Sequence, residues 1–204
     1  MKRPLTYYLL IPTFALHFHS LAQKVGGPCE GCEAIYEFGT RQLSHTDTLL
    51  EFDNSQHKLK LFGTVFQPDG KTPAAGVILY IHHTDRSGAY PKPANARGWE
   101  QHHGYLRGWV KTDASGQYAF FTFRPGAYPD GSEAAHIHLF VKEPDKNEYY
   151  LDDFLFDDDP RLSNERRRKL PQRGGNGIIK TTYANGLLQA KRDIILGLNI
   201  PNYE

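Results

Sequence analysis

Past the middle of the chain, "AHIHLFV" (Ala135 to Val141) sets two histidines one residue apart within a run of strand-forming side chains. Successive side chains on a strand point to opposite faces. His136 and His138 must therefore project together, while Ile137, Leu139 and Val141 turn the other way into apolar packing. That pattern calls for a sheet packed on one face. Two imidazoles side by side on the other face are either metal ligands or polar groups that need partners. The spacing does not choose the metal, because neutral imidazole binds zinc, copper, nickel and iron alike.

The flanking sequence agrees with a β architecture. "KLKLFGTVFQPDGKTPAAGVILYIHH" (Lys58 to His83) reads as two strands around a Pro68-Asp69-Gly70 turn. "WVKTDASGQYAFFTF" (Trp109 to Phe123) carries a hairpin signal with Asp113 to Gly116 at its turn. Two more strand-like runs flank Ala184-Asn185-Gly186, and "SNERRRKLPQ" is the best candidate for a helical turn, with Arg166 to Lys169 on a solvated face. "EYYLDDFLFDDDP" reads as an acidic, solvated loop. Between Ile81 and Trp109 runs a long irregular connection of the kind that is usually functional. Short strands separated by turns predict a single all-β sandwich with long loops and little helix, over residues 58–204.

The 204 residues suffice for one domain with a substantial core, and a formal net charge of +1 leaves no electrostatic footprint for nucleic acid. At the N-terminus, Lys2 and Arg3 precede a short apolar run, and Ser20-Leu21-Ala22 offers small residues for cleavage. Residues 1–22 thus read as a signal peptide, predicting an exported protein, periplasmic or extracellular, without a membrane anchor after cleavage. An N-terminal arm, 23–57, follows. It holds Cys29 and Cys32, to which a structural, loop-pinning role is assigned, since no second cysteine pair exists to complete a four-thiolate zinc site.

Two tyrosines sharpen the reading of the histidines. Tyr128 lies in a Pro/Gly loop eight residues before His136, and Tyr90 occupies a comparable loop, "HHTDRSGAYPKP". Phenolate is a hard anionic donor whose free pKa is about 10, so only a strongly acidic ion holds it deprotonated at neutral pH. Ferric iron does so well. Two phenolates and two imidazoles would leave such an ion one net positive charge.

With "GTVFQPDGKTPAAGVILYI", "GAY", "RGWVKTDASGQYAFFTFRPGAYP" and "AHIHLFV" in this order, the chain resembles the intradiol ring-cleavage dioxygenases, from about Leu61 to Phe156. The resemblance implies a ferric ion, Fe(3+), held by Tyr90, Tyr128, His136 and His138. It further implies Tyr128 as the ligand that yields to substrate and acts as a local base. The implied substrates are a small aromatic diol and dioxygen, and the product is a muconate-type dicarboxylic acid. A homo-oligomer is possible. The chain departs from the family where members carry an arginine before the first histidine, because Glu133 stands there, and where a glutamine is expected, because Asp152 or Asp153 replaces it. Arg107 or Arg97 is the candidate to restore the missing cation, with Arg107 taken as catalytic.

Alternatives differ in class. "GTVFQPDGKTPAAGV" also suits transthyretin-like or carbohydrate-binding sandwiches without catalysis, and Glu133 allows an iron-binding homologue with altered or lost activity. His82-His83 and His102-His103 read as pocket-lining or surface residues, since neighbours on a strand face opposite ways. Tyr80, Trp99 and Tyr105 are candidates for an aromatic pocket wall.

Overall fold

The computed structural model describes residues 24–204, in which short strands form two facing sheets. The expected signal segment lies outside these residues. Strand β1 (Thr46–Thr48) and β2 (Lys58–Phe66) belong to the first sheet, whereas β3 (Ile78–His82) and β4 (Arg107–Lys111) belong to the second. Next come β5 (Gln117–Phe123), β6 (His136–Lys142), β7 (Tyr149–Tyr150) and β8 (Phe154–Phe156). The C-terminal part adds β9 (Ile178–Ile179), β10 (Thr182–Ala184), β11 (Leu187–Lys191) and β12 (Ile194–Ile195). Among the described residues, helix is confined to α1 (Glu100–His103), α2 (Asn164–Lys169) and a 3-10 turn at Cys32–Tyr36. The first sheet runs β1-β5-β2-β11-β10, with β12 also on β2; the second runs β4-β3-β6-β8-β9, with β7 on β6.

Alternation builds the sandwich. Every second residue of β2 is buried, and Leu59, Leu61 and Val65 meet Leu79, Ile81, Val110, Ile137, Leu139 and Val141 from the opposite sheet in one core. Burying each such side chain contributes roughly 1.5–3 kcal/mol.

The expected hairpin does not form: β4 and β5 are not partners, and the chain crosses from one sheet to the other there, as it also does between the two expected strands β2 and β3. Asp113 does cap a turn, accepting from Ser115 N and Gln117 N at 2.8 and 2.9 Å. Turn chemistry reverses the chain but does not say which layer it re-enters, and both flanking strands carry apolar faces that the interlayer core can bury. The C-terminal pair is a true hairpin: Asn185 and Gly186 both have positive φ, as a two-residue connection requires.

The outer face of the second sheet is also covered. The first part of the arm, Lys24 to Leu43, packs over it rather than hanging free: Cys32, Ala34 and Ile35 bury against Tyr80, Trp109 and Phe140. Cys29 and Cys32 are disulfide-bonded. Helix α2 forms where expected, capped by Ser163, whose hydroxyl accepts from Arg166 N. Its basic face is not all solvated, however, because Arg166 pairs with Glu133 and Arg167 with Asp157. Nor is the acidic stretch a solvated loop. It supplies β7 and β8, buries Asp152 and Asp159, and pairs Asp153, Asp157 and Asp158 with basic side chains.

Candidate metal centre

The register of β3 on β6 sets His82 directly opposite His138, with Tyr80 opposite Phe140. These four rings share the outer face, while Ile137, Leu139 and Val141 are fully buried on the inner one, as the alternation predicts. Two long loops reach over this face. One follows β3 and carries Tyr90; the other joins β5 to β6 and carries Tyr128. They interlock through glycines. A Cβ on Gly88, where φ is +84°, would lie 2.0 Å from the Ala127 carbonyl oxygen, and one on Gly126 would lie 2.4 Å from that of Arg86. Gly126 N donates to the Asp85 carbonyl at 2.8 Å.

This interlocking brings four side-chain atoms together. Tyr90 Oη is 3.0 Å from Tyr128 Oη and 3.0 Å from His138 Nε2. His136 Nε2 is 3.2 Å from His138 Nε2 and 3.4 Å from Tyr128 Oη. Donors held about 2.0–2.2 Å from one ion have such spacings between them.

The proton positions argue the same way. His136 Nδ1 donates to the Ala134 carbonyl at 2.8 Å, and His138 Nδ1 faces Asp153 Oδ1 at 3.1 Å. With both protons on Nδ1, both Nε2 atoms present lone pairs to each other. Such an arrangement suits a cation between them, and the partner on Nδ1 is what orients a ligating imidazole. Burial, together with the hydrogen bond to Tyr128, raises the Tyr90 phenol well above its ordinary value; burial raises Tyr128 as well. Without a cation both phenols stay protonated. Burial lowers His136, whereas at His138 the Asp153 carboxylate outweighs burial and raises the imidazole. His136, His138 and Asp153 also form a group of potential ligands within 4.8 Å of one another.

Not every expected residue reaches this point. Arg107 pairs with Glu37 and Glu100 and lines a separate depression, so the structure does not bring it to the four donors. Arg97 is exposed on its loop. Glu133 meets Arg166 at 2.8 Å, a pairing the sequence reading missed by treating Arg166 as solvated. Asp153, not Asp152, faces His138; Asp152 instead accepts from Gln172 N and Arg173 N.

The histidine pairs divide. His83 turns inward to Thr122, while His82 stacks between His138 and His103 at ring separations of 4.4 and 3.8 Å. His103 is held by Tyr80 Oη at 2.8 Å and flanked by Trp99. Tyr105 points elsewhere, toward Glu51.

A family model described as a dioxygenase matches residues 36–169. The chain belongs to the intradiol ring-cleavage dioxygenase family. Catechol 1,2-dioxygenase 1 of Acinetobacter lwoffii is 35% identical over 107 residues, which cover 44% of this chain and 33% of that one. The alignment thus spans about one third of that relative's length.

Solved structures of lower identity share the intradiol dioxygenase fold. The dioxygenase domain of a dioxygenase–carbohydrate-binding fusion from Streptomyces sp. SirexAA-E aligns with a TM-score of 0.58 at 22% identity, covering 73% of this chain and 85% of that one. Hydroxyquinol 1,2-dioxygenase of Pseudomonas putida DLL-E4 gives 0.55 at 18%, covering 76% and 62%. An intradiol ring-cleavage dioxygenase from Tetranychus urticae gives 0.54 at 19%, covering 76% and 87%.

Proposed function

We propose that this member of the family is an exported non-haem iron dioxygenase that opens a catechol-type ring between its two hydroxyl-bearing carbons, giving a muconate-type dicarboxylic acid. The observation that carries the reading is the pair of imidazole Nε2 atoms facing each other at 3.2 Å, with two phenols closing the same space. Tyr90, Tyr128, His136 and His138 would hold the ion. Ferric iron bound there would supply Lewis acidity and a template for both diol oxygens.

The chain's own groups do the rest. Asp153 keeps the His138 proton on Nδ1, and the Ala134 carbonyl does the same for His136, so both Nε2 atoms stay available. Tyr128 sits in an irregular loop next to His136, and its Oη, held as phenolate when the ion is bound, would accept a proton from a substrate hydroxyl. Tyr90 keeps its contact with His138. The ring of the diol would lie against the His82–His103–Trp99 stack. Export is supported by the basic-then-apolar N-terminal pattern and by the Cys29–Cys32 disulfide, which suits an oxidising compartment.

Iron content and the visible spectrum of purified protein test this reading, because iron-bound phenolate absorbs visible light. Tyr90→Phe and His136→Ala should each strongly reduce bound iron and colour. Full iron occupancy in both variants would remove the ligand set. Coloured protein that consumes no oxygen with any catechol would leave the iron site standing and remove the turnover.

A further inference from the structure

We infer that the cleft beside Tyr90 and His138 selects aromatic diols whose ring substituent is uncharged or cationic and disfavours carboxylated ones, with Glu30 setting the preference. This rests on the reading of the cleft as the ring-binding site.

The cleft encloses about 480 Å³, a volume suited to a single substituted ring. Its walls are aromatic, with His82, Trp99 and Phe140 among them, and its charged lining residues are both acids, Glu30 and Asp153. Among the described residues, no lysine or arginine lines it. The guanidinium of Arg107 is already matched by Glu37 and Glu100. Asp153 is engaged by His138. Glu30 differs: it is exposed and has no ion-pair partner among the described residues.

Glu30 is also held in place. It lies between Cys29 and Cys32, inside the short loop that their disulfide closes. The next residue, Gly31, has φ +81°, and a Cβ there would fall 2.8 Å from His103 Nε2. The loop is therefore seated on the ring stack that forms the cleft wall, and Glu30 is among the residues lining the cleft. The floor carries a second unspent polar group, since His82 is only 4% exposed and its Nδ1 has no hydrogen-bond partner. A carboxylate on the substrate ring would meet Glu30 with no lysine or arginine among the lining residues to offset it. An ammonium would pair with Glu30, and a neutral substituent would meet only ring faces.

The test is titration calorimetry of full-length, iron-loaded protein under anaerobic conditions and low salt, with catechols bearing a 4-methyl, 4-carboxyl or 4-(2-aminoethyl) group. The carboxylated diol should bind about five- to tenfold more weakly than the methyl one, the scale of one or two partly exposed charge contacts. The amine should match or exceed the methyl compound. Added salt should shrink the gap, and Glu30→Lys should close or invert it, with Glu30→Gln between. Equal affinity for the carboxylated and methyl diols overturns the inference, as does a gap that Glu30→Lys leaves intact. Failure of the neutral diol to bind is a separate result, and it removes the ring-binding reading itself. Glu30 is exposed, so circular dichroism of its variants should match the parent protein.

Discussion

His138 Nδ1 lies 3.1 Å from Asp153 Oδ1, while the other nitrogen of that ring faces Tyr90 Oη at 3.0 Å. One carboxylate thereby decides which face of the imidazole is free to bind. Burial pushes the Asp153 carboxyl up, but the imidazole more than offsets this and holds it below its ordinary range. The segment bearing Asp153, just before β8, is fixed in turn by Arg192, whose buried guanidinium donates to the Asp152 carbonyl at 2.6 Å.

Removing that carboxylate should loosen metal binding without touching a proposed ligand. Asp153→Ala is expected to lower iron affinity by about 10–100-fold, the usual cost of losing such an outer partner. Asp153→Asn, which keeps an acceptor oxygen, should lose less. Chelator competition measures both. Unchanged affinity in the alanine variant would mean that His138 is oriented by something else.

A second expectation concerns Glu133, which stands where the family resemblance implies an arginine and is tied to Arg166 at 2.8 Å. The Arg166 and Glu133 side chains are partly exposed, at 31% and 41%, so breaking the pair should cost no more than about 1 kcal/mol. Its importance is electrostatic: the carboxylate adds negative charge on the Tyr128 side of the proposed diol site. Glu133→Arg should raise oxygen uptake with at least one simple catechol, and adding Arg166→Glu should restore the ion pair with reversed polarity and retain the gain. No gain across a panel, with iron occupancy normal, would remove Glu133 as the limiting group.

Much of this centre was legible beforehand, for identifiable reasons. The two-residue period of a strand placed His136 and His138 on one face, and the same rule parted His82 from His83. Tyr90 and Tyr128 came from the resemblance, because loop residues carry no periodicity to locate them. The partners of β4 and β5 were hidden, since a turn such as Asp113 to Gly116 serves a hairpin or a crossing between layers equally well. The stack of His103 on His82 was also hidden. It depends on α1 folding back over the sheet, which no local pattern in "GWEQHHG" announces. Arg166 looked solvated because its partner lies 33 residues away.

The buried His83 predicts a loss of stability in mild acid. Its Nδ1 donates to the Thr84 carbonyl at 2.7 Å and its Nε2 meets Thr122 Oγ1 at 2.6 Å, so a second proton would have to turn the Thr122 hydroxyl away in a buried site. Burial holds the imidazole down at about 4, against an ordinary value of 6.5. Between those values the unfolded chain binds the extra proton and the folded chain does not. Stability therefore falls as pH drops from about 6.5 toward 4, by roughly 3 kcal/mol from this group alone. Urea unfolding of iron-free protein between pH 7 and about 4.5 measures it, free of any contribution from metal release. His83→Gln should flatten that part of the profile. An unchanged slope in the variant would assign the acid sensitivity to other groups.

The interlocked glycines make the sharpest demand on geometry. Gly88 has φ +84°, and a methyl there would sit 2.0 Å from the Ala127 carbonyl oxygen, immediately before Tyr128. Gly88→Ala must therefore strain its own backbone and push the two tyrosine-bearing loops apart. The variant should lose about 2 kcal/mol or more, and iron per chain should fall along with the visible absorption. Gly131, in the Tyr128 loop with φ +69°, provides the contrast, since the nearest atom to an added Cβ is Arg161 Nε at 4.0 Å. Gly131→Ala should cost only about 1 kcal/mol in backbone strain and keep its iron. If both variants lost iron equally, general loop destabilisation would explain the result. If Gly88→Ala kept its iron, the close approach of the loops would not be what holds the phenols together.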